Sequence, residues 1–176
     1  MQRYHPALVA LHWLLALMLI VALVVGSQIL AETPNSNPEK VTLLGQHMVV
    51  GLLILVLMLI RLTLRWRTAV PPEADNGNSL LNRMGGWAHM GLYLLVFVMA
   101  ASGIGLSLLA GLGDIVFFGS GAALPADFDD YTPRIVHGIV SKLLFALILL
   151  HIAAALYHQF LRKDGLMGRM WFGAWR

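Results

Sequence analysis

The most informative segment of this chain is RIVHGIVSKLLFALILLHIAAALYH, residues 134–158. It is long and apolar enough to cross a bilayer, which takes about 20 residues of helix. Its ionisable side chains are His137, Lys142, His151 and His158. Because ionisable groups are costly in hydrocarbon, their presence there marks a functional site. The segment therefore predicts a transmembrane helix whose polar side chains serve a bound group or a proton path.

The whole chain has the composition of a membrane protein. Of its 176 residues, 59% are hydrophobic and 12% are charged, whereas soluble domains carry about 25% charged residues. The absence of cysteine excludes C-x-x-C-H haem attachment, cysteine-ligated iron–sulfur clusters and disulfides. The net charge is +3, but the basic residues flank apolar segments. This position fits contacts with a membrane surface, so we expect no nucleic-acid partner.

Four apolar runs predict four membrane-spanning helices, at about residues 7–30, 42–64, 87–110 and 134–161. The first run is longer than the roughly 7–15 apolar residues of a signal peptide, so it is kept as a helix. The predicted fold is all-α, an integral membrane four-helix bundle that forms one domain over residues 1–176. In the longest loop, residues 111–133, the segment IVFF (115–118) and Phe128 are predicted to rest on the membrane surface.

The basic side chains predict the orientation of this bundle. All of the twelve Lys and Arg residues except Lys40, Arg134 and Lys142 fall at one end of it. The positive-inside rule places that end in the cytoplasm, with both termini and the loop at residues 65–86. The basic and aromatic C-terminal segment, residues 162–176, is predicted to be a surface anchor.

The histidines fall at two depths of the predicted bundle. His137 and His151 are fourteen residues apart, a helical rise of about 21 Å, and they point within about 40° of the same direction. By depth, His47 matches His137 at the periplasmic side. Either His12 or His89 matches His151 at the cytoplasmic side.

Paired imidazoles at one depth on different helices are the ligand arrangement of a bis-histidine haem. Ligation also satisfies the ring nitrogen inside the bilayer. Small residues near the ligands leave room for a porphyrin: Gly51, Gly138, Ala153, Ala154 and Ala155. Candidate partners of its propionates are Arg61, Arg65 and Lys142, with a water-filled pocket as the alternative for Lys142. Helix–helix hydrogen bonds, a proton relay and a transition-metal site are the competing interpretations.

Four blocks of sequence carry a resemblance to a known family: LHWLLALMLI (11–20), GQHMVVGLLILVLMLIRLTLRW (45–66), AHMGLYLLVFVMAASGIGL (88–106) and HGIVSKLLFALILLHIAAALYHQFLRKDGLMGRM (137–170). With these blocks the chain resembles the bacterial cytochrome b561 family, small four-helix di-haem proteins of the inner membrane. The resemblance implies a multi-pass protein of the bacterial inner membrane, and it covers nearly the whole chain.

The resemblance also implies which histidines hold the haems. It pairs His12 with His151 for a cytoplasmic haem b, and His47 with His137 for a periplasmic haem b. These four side chains are the predicted iron ligands.

For the substrate sites, the resemblance implies that His158 belongs to a ubiquinone pocket at the cytoplasmic edge. It implies a position for His89 near the inner haem or the quinone. The branch that the chain most resembles oxidises superoxide at the periplasmic face and reduces ubiquinone. The predicted activity is therefore that of a superoxide:quinone oxidoreductase, in which His158 relays a proton to the quinone.

One feature of the sequence argues against an anionic donor. The 111–133 loop contains four aspartates, which would repel superoxide. Arg134, one turn before His137, and Lys40 are predicted to offset this charge locally. The alternative function is a cytochrome b subunit that carries electrons from a partner dehydrogenase to quinone, and a weaker alternative is a histidine-based proton or metal transporter. A homodimer and a complex with a dehydrogenase are the assemblies considered.

Overall fold

Four long apolar helices dominate the computed structural model, which describes residues 3–72 and 77–172. The helices are α1 (Pro6–Val25), α2 (Glu39–Arg67), α3 (Ser79–Leu109), the short α4 (Leu112–Phe117) and α5 (Thr132–Tyr157). Single π-helical turns, Gly26–Leu30 and His158–Arg162, extend α1 and α5. With these turns the four apolar helices are 25, 29, 31 and 31 residues long. Each is long enough to cross the hydrocarbon core, which confirms four membrane-crossing helices.

The third span begins at Ser79 rather than near residue 87. The side chain of Asn78 accepts hydrogen bonds from the backbone N–H groups of Leu80 and Leu81, and this N-cap starts the helix. Arg83 interrupts the apolar run but not the helix, so hydrophobicity alone placed the boundary too late.

Neighbouring spans pack along the chain order, with α1 against α2, α2 against α3, and α3 against α5. We call the end with the start of α1 and the end of α5 the terminal end, and the opposite end the loop end. Leu144, halfway between His137 and His151 in sequence, has no exposed surface and lies in a cluster with Leu15 and Val96. The apolar core therefore separates two levels of histidines.

A second apolar cluster closes the loop end. It contains Leu30, Leu44, Leu112 and Phe128, of which Leu112 begins α4. The prediction that Phe128 rests on the membrane surface was wrong, because its side chain is only 9% exposed. The loop that contains Phe128 covers the end of the bundle, so this side chain packs into the apolar cluster beneath the loop.

The C-terminal segment folds back onto the terminal end. Residues 163–172, which we call the C-terminal clasp, include a 3₁₀-helix at Leu166–Met170. The indole N–H of Trp13 donates to the Met170 carbonyl at 2.8 Å, and Arg169 donates to the Pro72 carbonyl at 2.5 Å. The predicted anchor is therefore tied to α1 and to the loop after α2; its last four residues, 173–176, lie outside the described residues.

Candidate functional site

At the loop end, α2 and α5 bring the rings of His47 and His137 close together at a steep angle. Their ring centroids are 6.0 Å apart and their planes meet at 72°. His137 Nδ1 lies 3.1 Å from the Met99 carbonyl oxygen and 3.1 Å from the Ser102 hydroxyl. Because a carbonyl only accepts, Nδ1 carries the ring hydrogen and Nε2 keeps its lone pair. This orientation is the one that suits a metal-ligating histidine.

Both imidazoles lie against a glycine of a neighbouring helix. A Cβ added to Gly26 would lie 3.3 Å from His47 Cε1, and one added to Gly103 would lie 3.4 Å from His137 Cε1. Gly51 and Gly138, which the sequence singled out, line a cavity at the loop end. Of these, Gly51 faces open space, and a Cβ at Gly138 would lie 3.1 Å from the Arg134 guanidinium.

A cavity of about 1860 Å³ contains the loop-end pair. It runs from the loop at residues 122–129 down to Leu144, and both imidazoles line it. Its volume exceeds the roughly 300–1,000 Å³ of ordinary ligand pockets, so a porphyrin can be accommodated. Lys142 and Arg134 also line the cavity. The sequence predicted Lys142 as a partner of a haem propionate and Arg134 as a contact for the electron donor.

At the terminal end, three histidines come together. The ring centroids of His12 and His151 are 6.2 Å apart, with planes at 70°. His89 approaches His151 from α3, with centroids 5.3 Å apart, and its ring hydrogen-bonds the backbone of Gly85. The structure thus brings together both candidate partners of His151.

The two wider spacings fit an iron between two imidazoles. A metal–imidazole bond is about 2 Å long, and the ring centroid lies about 1 Å beyond the nitrogen, so two axial imidazoles have centroids about 6 Å apart. His47–His137 and His12–His151 meet this distance, whereas His89–His151 is shorter. Within residues 3–72 and 77–172, no three His, Cys, Asp or Glu side chains form a group that could hold a metal ion.

Arg61 and Arg65 lie near the terminal-end histidines. Arg61 donates a hydrogen bond to the Tyr93 hydroxyl, and its guanidinium carbon lies 5.4 Å from the Tyr93 ring centroid. Arg65 lies 5.9 Å from the ring of Tyr4. Sequence reasoning missed Tyr93, although its position four residues after His89 places both on one helical face. The predicted propionate partner Arg61 therefore already has an aromatic hydroxyl partner.

His158 is paired with a carboxylate just beyond α5. Its Nδ1 lies 2.6 Å from Asp164 Oδ2, and Arg162 Nε lies 3.7 Å from the same oxygen. Desolvation raises the pKa of Asp164, but the hydrogen bonds from His158 and from the Leu166 backbone N–H outweigh it and lower the pKa. Sequence reasoning missed Asp164 because it lies outside the span; the Asp-Gly turn was the available signal.

Two cations at the loop end have defined partners. Arg134 Nε lies 3.6 Å from Asp129 Oδ1, so part of the acidic loop is neutralised beside His137. Lys40 is buried, 4% exposed, and its ammonium donates to the carbonyls of Leu30 and Thr33 at 2.5 and 2.6 Å.

Comparison with known proteins agrees with this architecture. A family model described as "Prokaryotic cytochrome b561" matches residues 3–173. The chain is 27% identical over 174 residues to the "Probable superoxide oxidase CybB" of Yersinia pestis, covering 96% of each chain. It is 29% identical over 178 residues to "Cytochrome b562" of Cereibacter sphaeroides, covering 95% of this chain and 94% of the relative. This protein therefore belongs to the prokaryotic cytochrome b561 family of multi-pass membrane proteins, a family that implies haem b.

Proposed function

We propose that this protein is a di-haem membrane cytochrome b that passes electrons from periplasmic superoxide to ubiquinone near the cytoplasmic side. The observation that carries the proposal is the pair of imidazole spacings, 6.0 Å at the loop end and 6.2 Å at the terminal end. The choice of donor is supported by the relative named probable superoxide oxidase, which matches along 96% of its length.

In this proposal each haem b is held between two helices. His47 and His137 are the ligands at the loop end, and His12 and His151 those at the terminal end. When bound, the haems would supply one-electron transfer between the two levels. The Met99 carbonyl and the Ser102 hydroxyl fix the tautomer of His137 through its Nδ1, so that Nε2 is directed away from them.

Three further side chains have supporting roles in the proposal. Lys142 lines the same cavity as His137, where a propionate would neutralise an ammonium that is costly to hold inside a membrane span. Arg61 lies beside the terminal-end histidines, held by Tyr93. His89 lies beside His151 with ring centroids 5.3 Å apart, closer than two iron-ligating imidazoles, so it is proposed as a neighbour of the inner haem and not as a ligand.

The donor and acceptor sides follow the orientation that the basic residues indicate. At the loop end, taken as periplasmic, the ion pair of Arg134 with Asp129 weakens the repulsion of an anion. At the terminal end, taken as cytoplasmic, the imidazole of His158 can hydrogen-bond a quinone carbonyl and pass a proton to it. His158 and Arg134 are thus the proposed residues that act on the substrates.

One observation favours a second candidate, an electron-carrier subunit for a partner dehydrogenase. The loop between α3 and α5 also carries Asp114, Asp127 and Asp130, a charge pattern that attracts a basic protein surface and repels an anion. In this alternative the haem ligands and the quinone site keep their roles, and only the electron donor differs.

A single preparation tests both candidates. Purified protein should show a reduced-minus-oxidised spectrum of b-type haem, with two haems per chain by pyridine haemochrome. Superoxide generated in the assay should then reduce a ubiquinone analogue, and added superoxide dismutase should abolish the reaction. Quinone reduction that requires a dehydrogenase would support the carrier alternative, and colourless protein would contradict both.

A further inference from the structure

The turn that follows α5 brings a carboxylate under His158. Lys163 and Gly165 adopt left-handed backbone conformations, with φ of 54° and 75°, so the chain reverses around Asp164. Asp164 Oδ2 lies 2.6 Å from His158 Nδ1, and its other oxygen, Oδ1, accepts the backbone N–H of Leu166 at 3.0 Å. The carboxylate therefore joins the end of α5 to the start of the C-terminal clasp.

The environment of the pair suits proton exchange at the membrane boundary. The side chain of His158 is 12% exposed and that of Asp164 is 30% exposed. Arg162 and Lys163 are the neighbouring cations in the chain, and the Tyr157 ring lies 5.8 Å from that of His158. The imidazole is thus largely enclosed, while the carboxylate remains in reach of water.

A carboxylate partner fixes the tautomer of an imidazole. Asp164 as an anion only accepts, so the hydrogen of neutral His158 sits on Nδ1, and Nε2 is the atom available to a ligand. The anion also stabilises the imidazolium that forms when Nε2 takes up a proton. In this contact Asp164 orients the ring of His158, and His158 can act as a proton donor through Nε2.

We propose that Asp164 is a positioning residue for quinone reduction, which holds the His158 ring so that Nε2–H of the imidazolium faces a quinone carbonyl oxygen. The inference rests on the proposed function. The overall step joins a quinone, two electrons that originate from the periplasmic donor, and two protons to give a quinol. For each proton, the Nε2–H bond of His158 breaks and an O–H bond forms on the quinone. The imidazolium then reforms with a proton from cytoplasmic water, and Asp164 stays ionised throughout.

If Asp164 only holds the C-terminal clasp, replacing it with asparagine should leave quinone reduction unchanged. In Asp164→Asn the side-chain carbonyl can still accept the Leu166 N–H, so the clasp is retained. The amide NH₂ then faces His158 Nδ1 as a donor, which moves the ring hydrogen to Nε2 in the neutral ring and removes the stabilisation of the imidazolium. The variant therefore changes the tautomer of His158 while it keeps the C-terminal clasp in place.

The test compares wild type, Asp164→Asn and the exposed loop-end carboxylate variant Glu32→Gln. Haem content should be equal in all three. In Asp164→Asn, kcat for reduction of a ubiquinone analogue should fall at least tenfold, a part of the roughly 10²–10⁴-fold that general acid catalysis contributes. KM for the analogue should change by less than about threefold. Glu32→Gln should match wild type. Labelled-imidazole ¹⁵N spectra should show the hydrogen of neutral His158 on Nδ1 in wild type and on Nε2 in Asp164→Asn.

The outcomes distinguish the two proposals. Wild type that fails to reduce quinone overturns the proposed function and the inference together. Wild type that reduces quinone, with unchanged kcat in Asp164→Asn, overturns only the inference. Wild-type spectra that show the hydrogen of neutral His158 on Nε2 also overturn only the inference. This measurement does not depend on whether the variant folds.

Discussion

His47 and His137 face each other across the loop end of the bundle, with ring centroids 6.0 Å apart. They come from α2 and α5, while the matching pair at 6.2 Å, His12 and His151, comes from α1 and α5. Helix α5 thus contributes to both levels, and each level depends on a different second helix. This makes the pairing testable by haem counting.

We expect two double substitutions to give different haem contents. His47→Ala with His137→Ala removes both ligands of one proposed site, so one haem per chain should remain. His12→Ala with His137→Ala removes one ligand from each site, so none should remain at stoichiometric occupancy, because a single imidazole binds haem iron more weakly. The measurement is pyridine haemochrome per chain after purification.

His89→Ala serves as the control for this experiment. Its ring is 5.3 Å from that of His151, too close for a shared iron, so the variant should keep two haems. Equal haem contents in the two double variants would contradict the pairing.

Much of this architecture was predictable from the sequence, for physical reasons. A membrane span must be long, apolar and internally hydrogen-bonded, so four helices follow from four apolar runs. The separation of His137 and His151 by fourteen residues sets their depth and direction through helix geometry alone. Depth also paired His47 with His137, and the structure places those rings together.

The details around the rings were not predictable, because they depend on contacts between helices. Gly103 and Ser102 lie in a small-residue stretch that is typical of helix packing, and only the structure shows both against His137. The contact of Asp164 with His158 requires the left-handed turn at Lys163. A non-glycine residue gives little sequence signal for that conformation.

Ser102→Ala should weaken the loop-end haem without removing it. The hydroxyl lies 3.1 Å from His137 Nδ1, and the Met99 carbonyl remains as a second partner. Loss of such an outer contact typically lowers metal affinity about 10–100-fold, so we expect a loss near the lower limit. Haem titration into apoprotein measures the change.

Ser141→Ala is the matched control for Ser102→Ala. Ser141 also lines the cavity, but its hydroxyl donates to the Gly138 carbonyl of its own helix at 2.8 Å. Its haem affinity should equal that of wild type. Equal affinities in the two serine variants would show that the Ser102 hydroxyl does not support the imidazole.

Lys40→Met should destabilise the loop end. The buried ammonium donates to the carbonyls of Leu30 and Thr33, which lie at the end of the first span and just beyond it, where helix carbonyls need partners from outside the helix. Hydrogen bonds from a charged donor contribute roughly 1.5–3 kcal/mol each. A net loss of about 2 kcal/mol corresponds to a fall in Tm of roughly 4–8 °C, measured by thermal unfolding in detergent.

The control for Lys40→Met is Lys163→Met, at an exposed position on the terminal end. It removes the same charge from the chain and should leave Tm within about 2 °C of wild type, since surface substitutions change stability by no more than about 0.5 kcal/mol. If both variants lose the same stability, the effect comes from net charge and not from the Lys40 contacts.

Acidification should remove the contribution of Asp164 to stability. Burial acts to raise the pKa of this carboxyl, but the hydrogen bonds from His158 and the Leu166 N–H lower it below the ordinary value of 3.8. A carboxyl with a lowered pKa in the folded state stabilises the fold above its unfolded pKa, and the stabilisation is lost as the pH falls through the lower folded value. Wild type should therefore unfold at a higher temperature than Asp164→Asn at pH 6. The difference should shrink as the pH falls below about 4. A difference that stays constant from pH 6 to the acid limit would mean that the ionised carboxylate does not hold the C-terminal clasp to α5.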